Sequence, residues 1–238
     1  MLYLGTCRYM YDFKWKSLLP RLHTTREILY ALQYIYRIKE SKQALDKFGG
    51  VLNWKDRQGL GNYKYGDFNT VSINGNGFLN NILPDKNETD IIIEVSSRGI
   101  YELVKPQGSL FLNKYYCDRD CSDDTLDRLR YVSLTQSMIE SDILNIRDLI
   151  KVVFNENTKL HIISHVNLKS NGDYITSRRV LVEFLEEICK QHKINFYDPG
   201  KFIEDNFESP DIKDFIPVNH YTNGFDKVKA WLEGEIYR

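Results

Sequence analysis

Apolar residues fall into two patterns along this chain. One is the short run that ends in glycine or a small polar residue. It occurs at Leu2-Tyr3-Leu4-Gly5, at Thr70-Val71-Ser72-Ile73 before Asn74-Gly75, and at Ile91-Ile92-Ile93-Glu94-Val95 before Ser96-Ser97. It recurs at Leu160-His161-Ile162-Ile163 and at Ile194-Asn195-Phe196-Tyr197. Short, β-branched runs of this kind predict strands of a parallel sheet covered on both faces, here 2–5, 70–73, 91–95, 160–163 and 194–197. The second pattern is the helical stripe. Thr24 and Glu27 have capping-box spacing, and Ile28, Leu32, Ile35 and Tyr36 follow to about Lys39. Further stripes run through Ile143, Ile146, Leu149, Ile150 and Val153 in a helix read over 124–154, through Val180, Leu181, Phe184, Leu185 and Ile188, and through Val228, Trp231, Leu232 and Ile236. Strands alternating with helices indicate an α/β fold, a three-layer α/β/α sandwich around a mostly parallel five-stranded sheet.

Three stretches lie outside this alternation. Tyr9 to Trp15 reads as an aromatic, basic loop. Residues 40–68 are broken by Gly49, Gly50, Gly59, Gly61 and Gly66, and residues 101–122 hold Cys117 and Cys121 without regular periodicity. Both read as irregular insertions in a single domain spanning 1–238. Gly59-Leu60-Gly61 has no following Lys-Ser/Thr pair, so it does not form a phosphate loop.

Charge and cysteine content narrow the partners. With 32 basic and 33 acidic residues the formal net charge is −1, which offers no broad basic face for nucleic acid. Four scattered cysteines do not make a disulfide framework, and the pair Cys117/Cys121 lacks the further ligands a zinc site needs, so no metal is expected. No apolar run approaches the ~18 residues of a membrane span. With an apolar strand beginning at Leu2 in place of a leader, the expected setting is reducing and cytoplasmic.

The candidate chemistry sits where strands end. Cys7, Gly75 and Gly77, Ser96 and Ser97, His165 and Asn167 each follow a predicted strand, and His220 precedes the last helix. In an open α/β sheet these positions converge on one edge, where ligands bind. They include a thiol nucleophile, two imidazoles and small residues able to offer backbone N–H groups, the inventory of acyl transfer. Cys7 could equally be a small buried residue, and His165 a hydrogen-bonded residue of the sheet edge. Arg8 and Arg98 also follow strands and could grip a phosphate or carboxylate, although arginines there are more often simply solvated. His23, just before the first helix cap, reads as a loop residue or a pocket rim. His161 and His192 read as structural or exposed.

The order of these features resembles the SGNH/GDSL hydrolase superfamily. Gly5-Thr6-Cys7 stands where that family has Gly-Asp-Ser after its first strand, and Gly75 or Gly77 where it has an oxyanion glycine. Val95-Ser96-Ser97-Arg98 stands at its Gly-x-Asn-Asp block, and His220 with Tyr221-Thr222 at its final histidine. The Gly-x-Cys variant is similar to polysaccharide-biosynthesis acetyltransferases of this fold. The resemblance implies an SGNH-hydrolase-like fold and acetyl transfer from acetyl-CoA to an amine or hydroxyl of a sugar or nucleotide sugar. It implies Cys7 as nucleophile and His220 as its base, with Gly75, Ser97 and His165 lining the oxyanion and acceptor side; His165 is the alternative base, and Asn167, Arg8 and Arg98 are the further substrate-side candidates. A carbohydrate esterase or deacylase and a non-catalytic carbohydrate-binding domain are the alternatives. The chain departs from the family pattern at Pro217, where an aspartate would orient His220 (Asp214 is the nearest substitute), and at Ser97, where an asparagine would stand.

Overall fold

The computed structural model describes residues 2–5, 16–20, 22–41, 90–103, 110–113, 129–169, 173–208 and 225–237. Two compact units emerge, neither continuous in sequence. One comprises 1–23, 90–97 and 159–238, the other 24–89 and 98–158.

The first unit is built on a parallel sheet. Its described strands are β1 (Leu2–Gly5), β2 (Lys16–Pro20), β3 (Asp90–Val95), β7 (Lys159–Ser164) and β8 (Asn195–Tyr197), in the order β2-β1-β3-β7-β8. Every pairing is parallel. Its helices are α3 (Thr176–His192), α4 (Pro199–Asn206) and α5 (Phe225–Ile236). The register puts Tyr3 beside Ile92, and Glu94 beside Ile163. Because strand side chains alternate, Tyr3, Ile92, Glu94 and Ile163 share one face. On it, Tyr3, Ile92 and Ile163 pack with Ile203 of α4 and Val228, Leu232 and Ile236 of α5. The crossover helix α3 packs on β7 and β8.

Four of the five strands expected from apolar runs are in this sheet. The remaining expectation, 70–73, lies outside the described residues. Lys16–Pro20, where the sequence reading expected no element, is an edge strand. Its proline is tolerated there because an edge strand has one side without ladder partners.

The second unit holds α1 (Thr25–Ser41), α2 (Gln136–Val153) and a small antiparallel sheet of order β5-β4-β6. These strands are β4 (Gly99–Leu103), β5 (Leu110–Asn113) and β6 (Arg130–Ser133). The helix expected over 124–154 therefore starts at Gln136. The Thr135 side chain caps it by accepting from the Met138 amide, and the preceding Tyr131-Val132 pair is strand. β5 and the last three residues of β4 lie in what reads in sequence as the irregular insertion 101–122. The two helices pack together through a polar lock: Asp142 accepts from Thr25 Oγ1 at 2.9 Å and from Arg26 Nε at 2.8 Å.

Candidate active site

In the first unit, β1, β3 and β7 end side by side. Leu22 donates its amide to the Gly5 carbonyl at 2.9 Å, and the Ser96 and Ser97 amides both donate to the His23 carbonyl at 2.9 Å. The short stretch before α1 is thus clamped across the carboxyl ends of β1 and β3. His165 continues β7 by donating its amide to Val95 at 3.2 Å.

At this edge three polar side chains are sealed inside the protein. Glu94, fully buried, accepts from the Tyr3 hydroxyl at 2.5 Å through Oε2 and from His165 Nδ1 at 2.6 Å through Oε1. A carboxylate inside apolar surroundings is costly unless its oxygens are hydrogen-bonded, and here each oxygen has a donor. With Nδ1–H given to Glu94, His165 carries its lone pair on Nε2, the arrangement of a general base oriented by a carboxylate. Gly5 makes room for this group. A Cβ at residue 5 would lie 2.5 Å from the Tyr3 hydroxyl and 2.7 Å from Glu94 Cβ.

A second imidazole stands at the same edge. His23 Nδ1 is 2.9 Å from Ser96 Oγ, and Ser96 is largely buried. Asn167, two residues beyond His165, is also buried, and its Oδ1 has no hydrogen-bond partner among the described residues. It lies where a Cβ on Gly200 would be, so that glycine is required by close approach. Behind it, Asp198 caps α4 by accepting from the Gly200 amide at 2.9 Å and also takes the Ser164 hydroxyl at 3.0 Å. Burial pushes the Asp198 carboxyl up from its ordinary value.

The residues named from sequence distribute as follows. His165, Asn167, Ser96 and Ser97 belong to the parallel-sheet unit, and the two serine amides are engaged by the His23 carbonyl. Arg98 opens the later segment of the second unit, and its carbonyl accepts from the Leu134 amide at 2.9 Å. Cys7, Arg8, Gly75 and His220 lie outside the described residues. Sequence reasoning passed over Tyr3 and Glu94. The signal was present: Glu94 is a lone carboxylate inside a run predicted to be buried on both faces, and such a group requires partners. Among the described residues no cluster of three or more His, Cys, Asp or Glu could hold a metal ion. Cys189, on the inner face of α3, has its thiol pushed up to about 12 by burial, which makes it inert at neutral pH. No described helix is long and apolar enough to cross a membrane.

A family model described as the TviD N-terminal domain matches residues 109–233, more than half of the 238-residue chain. The chain belongs to the TviD N-terminal domain family. That family is associated with polysaccharide biosynthesis. The matched region contains His165, Asn167 and His220, whereas Tyr3, Cys7, His23, Glu94 and Ser96 precede it. No curated protein and no solved structure matches the chain.

Proposed function

We propose that this protein is an acyltransferase of polysaccharide assembly, moving an acetyl group from acetyl-CoA to a hydroxyl or amine of a sugar or nucleotide sugar, on an SGNH-like three-layer fold. One observation carries the reading: a buried imidazole, His165, oriented by the buried carboxylate of Glu94 at the carboxyl edge of the sheet. Cys7 follows Gly5 by two residues in the chain, a reach of at most about 7 Å between Cα atoms. The TviD N-terminal domain family supplies the polysaccharide context.

In this reading His165 Nε2 takes the thiol proton of Cys7. The thiolate attacks the acetyl carbonyl, and the coenzyme leaves as its thiol, carrying that proton. The sugar hydroxyl then attacks the thioester, forming the ester and restoring the cysteine. Glu94 holds Nδ1–H throughout and stabilises the imidazolium that forms, a role it fills without taking the proton itself.

The test is a two-part incubation. With acetyl-CoA alone, intact mass spectrometry should find one acetyl group on Cys7, absent in Cys7→Ala. With a panel of sugars and nucleotide sugars, free coenzyme thiol should accumulate beyond one equivalent per chain only when the acceptor is present. General-base assistance is typically worth ~10²–10⁴ in rate, so His165→Ala should cost that much, and His220→Ala little. A mild His165→Ala with a severe His220→Ala would move the base to His220. Acceptor-independent hydrolysis of nitrophenyl acetate would favour the esterase, and sugar binding without turnover a carbohydrate-binding domain.

A further inference from the structure

Among the described residues, one buried side-chain polar atom is left without a hydrogen bond, and it is Asn167 Oδ1. The residue is 4% exposed. Its backbone is held in place, since its carbonyl accepts from the Ile175 amide at 2.7 Å. Its sealed polar neighbours in the chain are paired: His165 bonds to Glu94, and Ser164 to Asp198. A sealed acceptor without a donor loses its hydration and returns nothing to the fold. Gly200 adds to that cost. A Cβ there would lie 2.2 Å from Oδ1, so α4 carries a poor helix former in its first turn to make room for an unpaired oxygen. An orphaned buried group in a native fold calls for an explanation outside stability, and ligand binding is one.

The surroundings select the ligand. Asp198 Oδ1 lies 3.2 Å from the same Cβ position, and it accepts from the Ser164 hydroxyl and the Gly200 amide. The first amides of α4 are therefore committed: Pro199 has no N–H, and Gly200 gives its own to Asp198. What remains is an acceptor oxygen beside a carboxylate. That pair repels phosphates and carboxylates and suits a hydroxyl, which brings a proton to donate.

We propose that Asn167 is a binding subsite for the sugar acceptor, one of whose hydroxyls donates to Oδ1. The inference rests on the sugar-acceptor part of the acyl-transfer reading and does not involve Cys7. The terminal torsion of a carboxamide is soft. A half-turn about it carries Oδ1 off Gly200 to the ligand and directs the amide N–H at the Asp198 carboxylate. Both ends of the carboxamide are then bonded, and Asp198 acts as its positioning residue. No covalent bond changes.

The test measures binding without turnover. The full chain is titrated with glucose, galactose, N-acetylglucosamine and N-acetylgalactosamine, and with inorganic phosphate as the anionic control. Asn167→Leu keeps the shape of the side chain and deletes the carboxamide. Without sugar it should unfold at a higher temperature than the wild type, because a sealed, unpaired acceptor is gone. Its affinity for the sugar that binds should fall about tenfold. Gly200→Ala favours the helix but pushes the carboxamide off its seat, and should weaken the sugar to a similar degree. The side-chain amide signals of Asn167 in a proton–nitrogen spectrum are assigned by their absence from Asn167→Leu. They should move with that sugar and stay in place with phosphate. A thermal midpoint of Asn167→Leu below that of the wild type means that the carboxamide serves the fold, and overturns the proposal. Wild-type affinity in either variant, amide signals that ignore every sugar, or a shift with phosphate overturns it as well. The acyl-transfer reading fails separately, by its coenzyme-thiol assay. Sugar binding that is lost in Asn167→Leu, with no acetyl transfer by the wild type, supports the subsite and overturns the transferase.

Discussion

Glycine at residue 5 is set by what faces it. Tyr3 and Glu94 occupy the space of a Cβ there, so Gly5→Ala must displace either the hydroxyl or the Glu94 side chain. Overpacking of this kind costs about 1–3 kcal/mol, and here the displaced groups orient His165. The expected outcome is a stable-enough fold with a much larger loss of acyl transfer, checked by comparing denaturant midpoints with single-turnover rates. Full activity in Gly5→Ala would show that the Tyr3–Glu94 contact does not matter to the site. Asp142 offers a residue-scale test of the second unit. Its carboxyl is pushed up by burial, while Arg26 and Thr25 pull it down, and burial wins. A carboxyl raised on folding contributes most stability below its unfolded pKa, and that contribution is lost as pH rises through its folded pKa. Arg26→Ala removes one downward pull and raises the folded pKa further. The variant should therefore be destabilised at neutral pH by about 3 kcal/mol, the cost of leaving a buried charge without its partner. That deficit should shrink as pH falls through the carboxylate range. Denaturant unfolding of both proteins across that range checks it, and a pH-independent deficit would refute the pairing as its cause.

At the scale of elements, legibility followed chemistry. The strands β1, β3, β7 and β8 were readable because continuous apolar runs are what a parallel strand buried on two faces demands. β2 was not, since Lys16 and Pro20 bracket only a short apolar core and its edge position removes the pressure for an unbroken run. The antiparallel β4, β5 and β6 were missed for a related reason. Arg130, Tyr131 and Ser133 are exposed on β6, so no apolar run marks it, and the helix of the stripe beginning at Ile143 was extended backwards across it. The end of α3 was also poorly marked, because its left-handed cap residue is a lysine. Lys193 has φ 55 and ψ 43, and its amide donates to the Cys189 carbonyl. A side chain in that region costs about 1 kcal/mol that glycine avoids. Lys193→Gly should therefore raise stability by up to about 1 kcal/mol, read as a shift in the thermal midpoint. A clear loss would mean that the lysine side chain contributes more than the backbone strain costs.

At the scale of the molecule, the candidate site depends on residues far apart in the chain. Tyr3 and Glu94 are separated by 91 positions, and Glu94 and His165 by 71. The chain leaves the parallel-sheet unit after residue 23 and again after residue 97, and each time returns to it. That interleaving is why sequence alone could place His165 at the sheet edge but not its carboxylate. Pairing across the sheet is set by strand order, and strand order is not encoded locally. The same interleaving bears on the family match, which begins at residue 109 and so excludes β1, β2 and β3. β3 is the central strand of the sheet, and it lies between β1 and β7. A fragment of residues 109–233 would lose Tyr3 and Ile92 from the core and expose the ladder edge of β7 at Ile162 and Ile163. It would also leave His165 without Glu94. An apolar strand with an unpaired edge is a template for aggregation, and a buried imidazole stripped of its acceptor adds a further penalty. The fragment is therefore expected to lack a cooperative thermal transition by circular dichroism and to aggregate, whereas the full chain unfolds cooperatively. Cooperative unfolding of the fragment with a midpoint near that of the full chain would show that the matched region folds on its own. It would also place the determinants of His165 within residues 109–233 and remove Glu94 from the mechanism.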